Sequence, residues 1–377
     1  MEELEEPITE RRRMTRNSIY NFIYESTMMP SKQDIAQQLS LSLPTVYQNI
    51  NELLNAGLIQ VGQIHKSTGG RRPIGYSVVS DVKFAVGISL TVDKLYFLAL
   101  DLKQNELAYK KTEIKSLKND TIGRLITDQL ETFLDENQLD RNRLLGVGIT
   151  LPGVLDKEKD EVQLSPSMQM RHLSLSTIRE PVPYPTYIEN DGTSGGFTEW
   201  FESRNTAGSI AYLYLDYGIG GTVFINGAQY FGENKRSGEF GHMCVEPNGL
   251  LCNCGKKGCL EAYCSTLRIS THIGVTLDEF FEGLKKGNPN YKVLWNDVLE
   301  HLAIGINNIH MGLDCGVILG GILAQYLEPY MSELKQRIAE KDTFESGAEY
   351  VKLCHYSRRA DTIGVALHYI NEYIENI

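Results

Sequence analysis

A chain of 377 residues with 42% hydrophobic and 23% charged residues can bury two or three cores, and its composition excludes the fibrous, low-complexity and disordered classes. The opening MEELEEPITERRR has no apolar h-region and no run of about 18 apolar residues occurs, so neither export nor membrane insertion is expected, and the seven Cys are expected to be reduced thiols of a cytoplasmic protein. The net charge of −11 conceals a split: an acidic tail over 1–10, then eight Lys/Arg against three Asp/Glu over 11–80, then 29 against 40 in the rest, the pattern of a polyanion-binding head on an acidic body.

In the head, Ile19, Phe22 and Ile23 mark one helical face that Pro30 closes. Ser31 followed by Asp34 has the spacing of a capping box for a second helix carrying Ile35, Ala36 and Leu39. Ser42 caps a third helix with Pro44 in its first turn, and Val46, Ile50, Leu53 and Leu54 recur at helical spacing up to Gly57. Two strand-like runs, Leu58–Val61 and Tyr76–Val79, are joined by the Gly-rich, basic HKSTGGRRPIG. Three short helices and a basic hairpin predict a winged helix-turn-helix over 11–80. Its third helix would present Thr45, Tyr47, Gln48 and Asn49 to base edges, and Arg71 and Arg72 on the wing would reach phosphates or a narrow minor groove. Winged helices also serve protein contacts; the polar third-helix face and the Arg pair favour DNA.

From Lys83 onward, strand runs (FAVGISL, KLYFLALDL, LLGVGITL, then IAYLYLDYGIGGTVFING) alternate with helical segments, one of them around 120–137. That alternation predicts an α/β body of two lobes with a ligand cleft between them, and no internal repeat stands out. The most specific local signal is GEFGHMCVEPNGLLCNCGKKGCLEAY. His242, Cys252, Cys254 and Cys259 offer one imidazole and three thiols, with Gly255 and Gly258 supplying tight turns, which is a closed Cys3His set expected to hold structural Zn2+. Cys244, Cys264, Cys315 and Cys354 lie outside the pattern and read as small core residues, Cys244 and Cys264 being the alternatives for the metal site.

Together, GGRRP at 69–73, LPGVLD at 151–156, END at 189–191, YGIGGTVFING at 217–227, GEFGHM at 238–243, CNCGKKGCLE at 252–261 and VILGG at 317–321 resemble the ROK family of bacterial sugar kinases and sugar-responsive repressors, and specifically its repressor branch. The resemblance implies an α/β two-lobed, actin-like (ribonuclease H-like ATPase) fold with an N-terminal winged helix-turn-helix. The body would run over 81–377, with lobe 1 at about 81–190 plus the C-terminal helix at about 360–377, and lobe 2 at about 191–359 with the zinc loop at 242–259. Carried over by motif, Gly153, Asn190, Asp191, Glu239, His242 and Glu261 would contact a sugar, Asp191 standing where the kinases have their general base. A His held by metal through one nitrogen can offer the other to a hydroxyl.

Two departures bear on catalysis. The kinases' D-I-G-G-T reads Ser89-Leu90-Thr91-Val92-Asp93, and their G-T-G-x-G-G reads Asp216-Tyr217-Gly218-Ile219-Gly220-Gly221, which removes phosphate-approaching glycines and adds a carboxylate. A third, Pro166-Ser167 where the family has Pro-Asn, bears on which sugar fits. No ATP binding and no enzyme activity are therefore expected. The expected function is a DNA-binding repressor of carbohydrate-utilisation genes in the bacterial cytoplasm, with a monosaccharide or sugar-phosphate effector, acting as a homodimer or dimer of dimers on operator DNA. The alternatives are an ATP-dependent sugar kinase with an extra head, and a regulator sequestered by a sugar-transport component.

Overall fold

The computed structural model describes residues 10–64, 74–114, 119–165, 168–203, 208–344, 346–356 and 359–377. Most of the acidic tail, the wing tip with Arg71 and Arg72, and Pro166-Ser167 lie outside the described residues.

The head is built by local signals that its sequence carries. Helix α1 (Glu10–Glu25) buries Ile19, Tyr20, Ile23 and Tyr24. At the start of α2 (Lys32–Gln38) the Ser31 hydroxyl accepts the Asp34 N–H at 3.3 Å while the Asp34 carboxylate accepts the Ser31 N–H at 2.8 Å, closing the capping box. Ser42 accepts the Thr45 N–H at 3.3 Å to start α3 (Leu43–Asn55), with Pro44 in the first turn where its missing N–H costs nothing. Gly57, at φ +69°, ends that helix in the left-handed region. Strands β1 (Ile59–Ile64) and β2 (Ile74–Val78) pair antiparallel behind it.

Lobe 1 opens with the meander β3 (Phe84–Leu90), β4 (Lys94–Asp101) and β5 (Glu106–Glu113). After α4 (Ile122–Glu136), β6 (Leu144–Leu151) joins parallel to β3. A small antiparallel sheet of β7 (Val154–Asp156), β8 (Glu161–Ser165) and β9 (Met170–Ser174) follows, then α5 (Ser176–Arg179) and β10 (Thr186–Asn190), giving the main order β10-β6-β3-β4-β5. Every residue of β3 is buried, as a central strand covered on both faces demands. Ile122, Ile126, Leu130 and Phe133 of α4 pack on one of those faces.

Lobe 2 repeats this plan. Helix α6 (Asp191–Ser203) leads into the meander β11 (Ile210–Leu215), β12 (Ile219–Ile225) and β13 (Ala228–Tyr230). Helices α7 (Leu260–Cys264), α8 (Thr266–Ile269), α9 (Leu277–Lys285) and α10 (Pro289–Leu313) precede β14 (Gly316–Gly320); α11 (Ala324–Leu327) and α12 (Met331–Ala339) precede β15 (Val351–Leu353); α13 (Ala360–Glu375) comes last. The order β13-β12-β11-β14-β15, with β14 and β15 parallel to β11, matches that of lobe 1. Residues from α7, α9, α10 and α12 form the core on one face of this sheet.

Helices α6 and α13 hold corresponding places after the last strand of each sheet, and they join the lobes. Phe197 and Trp200 of α6 pack on the lobe 2 sheet, Trp200 stacked on Phe224 at 5.1 Å, while α13 lies on β3 and β6. The approach is close enough that a Cβ at Gly364 would collide with the Ser194 carbonyl, and one at Gly87 with the Thr362 carbonyl. Thr198 and Ser194 donate to the carbonyls of Ala360 and Asp361, each at 2.6 Å.

The head does not hang from the body by a linker. Ile19, Tyr20, Ile23, Ile50 and Leu53 share one buried cluster with Ala85, Leu98, Leu100, Ile370, Ile374 and Ile377. Asn17 Nδ2 donates to the Ile374 carbonyl, Lys103 Nζ to the Tyr24 carbonyl, and Arg13 Nη1 to Asn376 Oδ1 at 2.9 Å.

Candidate functional site

The Cys/His set converges as its spacing predicts. His242 ends a single helical turn, and the ligand atoms of His242, Cys252, Cys254 and Cys259 all lie within 4.8 Å of one another. Cys254 and Cys259 sulfurs are 3.7 Å apart, and the Cys252 sulfur is 3.9 Å from His242 Nδ1. Gly255 (φ +84°) and Gly258 (φ +82°) make the turns, and a Cβ on Gly258 would collide with the Glu246 carbonyl, so only glycine closes the loop. Three soft thiols and one imidazole at this separation fit a single metal ion with no vertex left open. Burial pushes the Cys252 thiol up, and to serve as a ligand it would have to exchange its proton for a cation. Of the other thiols, Cys264 and Cys315 are buried, Cys264 donating to the Val298 carbonyl at 3.5 Å, and Cys354 is partly buried. Cys244 departs from its reading as a core residue: it is exposed.

The sugar residues carried over by motif fall into two groups. On the lobe 1 side, Asn190 ends β10 and Asp191 begins α6; Asn190 Nδ2 donates to the Gly153 carbonyl at 2.8 Å and to Asp191 Oδ1 at 3.0 Å, and the Gly192 N–H donates to the same carboxylate oxygen at 2.8 Å. Gly153, at φ +124°, leaves no space for a Cβ against the Leu164 carbonyl at 2.5 Å. On the metal side, His242 Nε2 lies 4.0 Å from Glu239 Oε2, Glu261 Oε1 accepts from the Cys252 thiol at 3.6 Å, and Glu261 Oε2 accepts the Ile219 N–H at 3.0 Å. Nδ1 is thus turned to the Cys252 thiol and Nε2 to the Glu239 carboxylate.

Two further carboxylates enter. Asp361, in the first turn of α13, accepts from Thr150 at 3.1 Å, and Asp216, at the end of β11, accepts from Tyr214 OH at 3.0 Å and the Tyr217 N–H at 2.7 Å. Burial, with Asp361 next, holds the Asp191 carboxyl up at about 7, and burial raises Asp216 to about 6. Asp216 was visible in the sequence as a departure, whereas Asp361 gave no signal, lying 170 positions from Asp191 with no motif of its own.

In the head, Tyr47 and Gln48 are exposed on α3 and Thr45 is partly buried. Asn49 corrects the sequence reading: it is 3% exposed, with Nδ2 donating to the Thr45 carbonyl at 2.8 Å, because the fourth residue of the tetrad falls on the same face as Val46, Ile50 and Leu53. The sequence reading also missed Lys32, whose Nζ lies 3.7 Å from the centre of the Tyr47 ring beside the same exposed surface.

The model of the ROK family matches residues 85–371. A xylose repressor of Bacillus subtilis is 30% identical over 238 residues, 62% of each chain, and a xylose repressor of Caldicellulosiruptor bescii is 25% identical over 82% of this chain and 84% of its own. The aligned segment thus spans under two thirds of the Bacillus relative. Among solved structures, a ROK family transcriptional regulator described as a homolog of the E. coli MLC protein superposes with a TM-score of 0.77 at 19% identity, over 97% of both chains, head included. No helix among the described residues is long and apolar enough to cross a membrane. Because the family match runs from the first strand of lobe 1 into the last helix and takes in both sheets and the Cys/His loop, the chain belongs to the ROK family.

Proposed function

We propose that the protein is a sugar-responsive DNA-binding transcriptional repressor of carbohydrate-utilisation genes, without kinase activity, acting in the bacterial cytoplasm. The observation that carries this reading is the full-length likeness, head and body together, to a ROK transcriptional regulator, joined to repressor names among the relatives. Tyr47 and Gln48, with Lys32 beside them, and Arg71 and Arg72 from the basic sequence between β1 and β2, would supply the base-edge and phosphate contacts. Two such heads on a twofold axis would read a pseudo-palindromic operator as a homodimer or dimer of dimers.

The effector site is the cleft between Gly153, Asn190 and Asp191 on one side and Glu239, His242 and Glu261 on the other. Its polar groups are mostly oxygen acceptors, which suit sugar hydroxyls. Asp191, Asp216 and Asp361 crowd one end with negative charge, so an uncharged monosaccharide is favoured over a sugar phosphate. The same charge argues against ATP, as does Asp93, which is engaged with Lys94 at 2.5 Å in a turn without the kinases' glycines. Zn2+ at His242, Cys252, Cys254 and Cys259 would supply a structural crosslink that fixes His242 and, through Cys252 and Cys259, the position of Glu261.

Mobility shifts with operator DNA, run with and without a panel of pentoses, hexoses, amino sugars and their phosphates, test the reading. One or more free sugars should change operator affinity about 5- to 150-fold, the range of ordinary allosteric coupling. Sugar-dependent ATP turnover that Asp191→Asn abolishes would overturn it in favour of the kinase.

A further inference from the structure

The exposed Cys244 faces a metal ligand across a short antiparallel ladder. The Val245 N–H donates to the Gly258 carbonyl at 2.8 Å and the Leu260 N–H donates to the Met243 carbonyl at 2.9 Å, which frames Cys244 and Cys259 as directly opposed residues. Neither of these bonds involves the two cysteines themselves, so they form the non-hydrogen-bonded kind of pair, in which Cα atoms lie about 4.5 Å apart and side chains share one face. Disulfides span Cα separations of about 4.4–6.8 Å, and the separation of about 4.5 Å typical of such a pair lies within that range. The Cys244 sulfur already leans over the neighbouring turn, 3.3 Å from where a Cβ on Gly258 would stand.

We propose that Cys244 and Cys259 are a modification site: a hydroperoxide converts them to an intramolecular disulfide that takes Cys259 out of the metal set. In the first step the Cys244 thiol, exposed while Cys259 is buried, gives an electron pair to the peroxide; the O–O bond breaks, Cys244 becomes a sulfenic acid and water leaves. In the second, the Cys259 thiolate attacks the sulfenyl sulfur, the S–S bond forms and hydroxide leaves. Two sulfurs have each lost one electron, and the peroxide has been reduced to water and hydroxide. A metal held by the set would then keep three of its four donors. Cys259 also precedes the first residue of α7, so Glu261 two positions on loses its anchor.

The disulfide itself is independent of what the set binds; only the metal-release arm rests on the zinc reading above. The full-length protein is treated with graded hydrogen peroxide, and free thiols, bound zinc (with a chromophoric chelator) and disulfide-linked proteolytic peptides are measured together. Wild type should lose two thiols and two hydrogen masses, yield a peptide linking Cys244 to Cys259, and release its zinc in step, with thiol reductant restoring all three. Cys244→Ser, a surface change, should keep its zinc at the same dose, releasing it roughly ten-fold more slowly. A linked peptide joining Cys252 or Cys254 to Cys259, or equal release from Cys244→Ser, would overturn the proposal. If the protein as purified holds no zinc, the zinc reading fails, and the linked peptide alone decides for or against the disulfide.

Discussion

Tyr47 and Asn49 are two positions apart on α3 and face opposite ways, one into solvent and one into the head. Tyr47→Ala should therefore weaken operator binding while leaving the melting temperature nearly unchanged. Asn49→Ala removes a donor to the Thr45 carbonyl and leaves a gap beside Val46, and is expected to cost about 1–2 kcal/mol of stability with base preference intact. Denaturant titration of each variant beside selection from randomised operators tells these outcomes apart. Asp191 makes a second prediction. Its carboxyl is held at about 7, against about 3.9 for a free side chain, so its contribution to stability is present below pH 4 and is lost as the pH rises through 7. Asp191→Asn should consequently stabilise the effector-free protein by about 2–4 kcal/mol at pH 8 and by little near pH 4, as read from thermal melts across that range. A variant less stable than wild type at pH 8 would contradict this.

Among the elements, α6 carries one fully buried carboxylate, Glu199. Glu199 accepts the N–H groups of His355 and Tyr356, at 3.1 and 3.2 Å, and His355 Nδ1 lies 3.0 Å from it, which ties α6 to the two residues 355 and 356 beyond β15. Glu199→Ala would strand these donors and should cost roughly 3 kcal/mol, measured as a shift of the denaturant midpoint at unchanged slope. Nothing in the sequence announced this interaction, since its partners are 156 positions apart and no short-range rule connects them. What was legible was local: the Ser31–Asp34 capping box, the Ser42 cap with Pro44, and the Cys/His loop are each decided within a few residues. The matching strand order of the two lobes was not, because two sheets can share a path of hydrogen bonds while their side chains answer to different neighbours. Asn49 was misread for a related reason: a tetrad of polar residues spans more than one turn, and only the surrounding packing determines which member turns inward.

At the scale of the whole molecule, the two activities should separate by mutation. Replacing Arg71 and Arg72 by Ala should weaken operator binding and lower its salt slope by about one for each phosphate no longer neutralised, with sugar affinity unchanged. Glu239→Ala should leave operator binding intact and abolish its response to sugar; mobility shifts over several salt concentrations, paired with calorimetric sugar titrations, read both arms. How the response travels is constrained by the buried cluster that Ile19, Tyr20 and Ile50 share with Leu98, Ile370 and Ile374. Residues that share a core exchange their amide hydrogens together, because exposing one side exposes the other. The head and lobe 1 should accordingly behave as a single foldon: amides of α1 and of β4 should exchange at one common free energy, and calorimetry should show no separate low-temperature melting of the head. A head that cannot loosen alone cannot swing on its own hinge, so the quantity a sugar is free to change is the angle at which lobe 1, carrying its head, meets lobe 2.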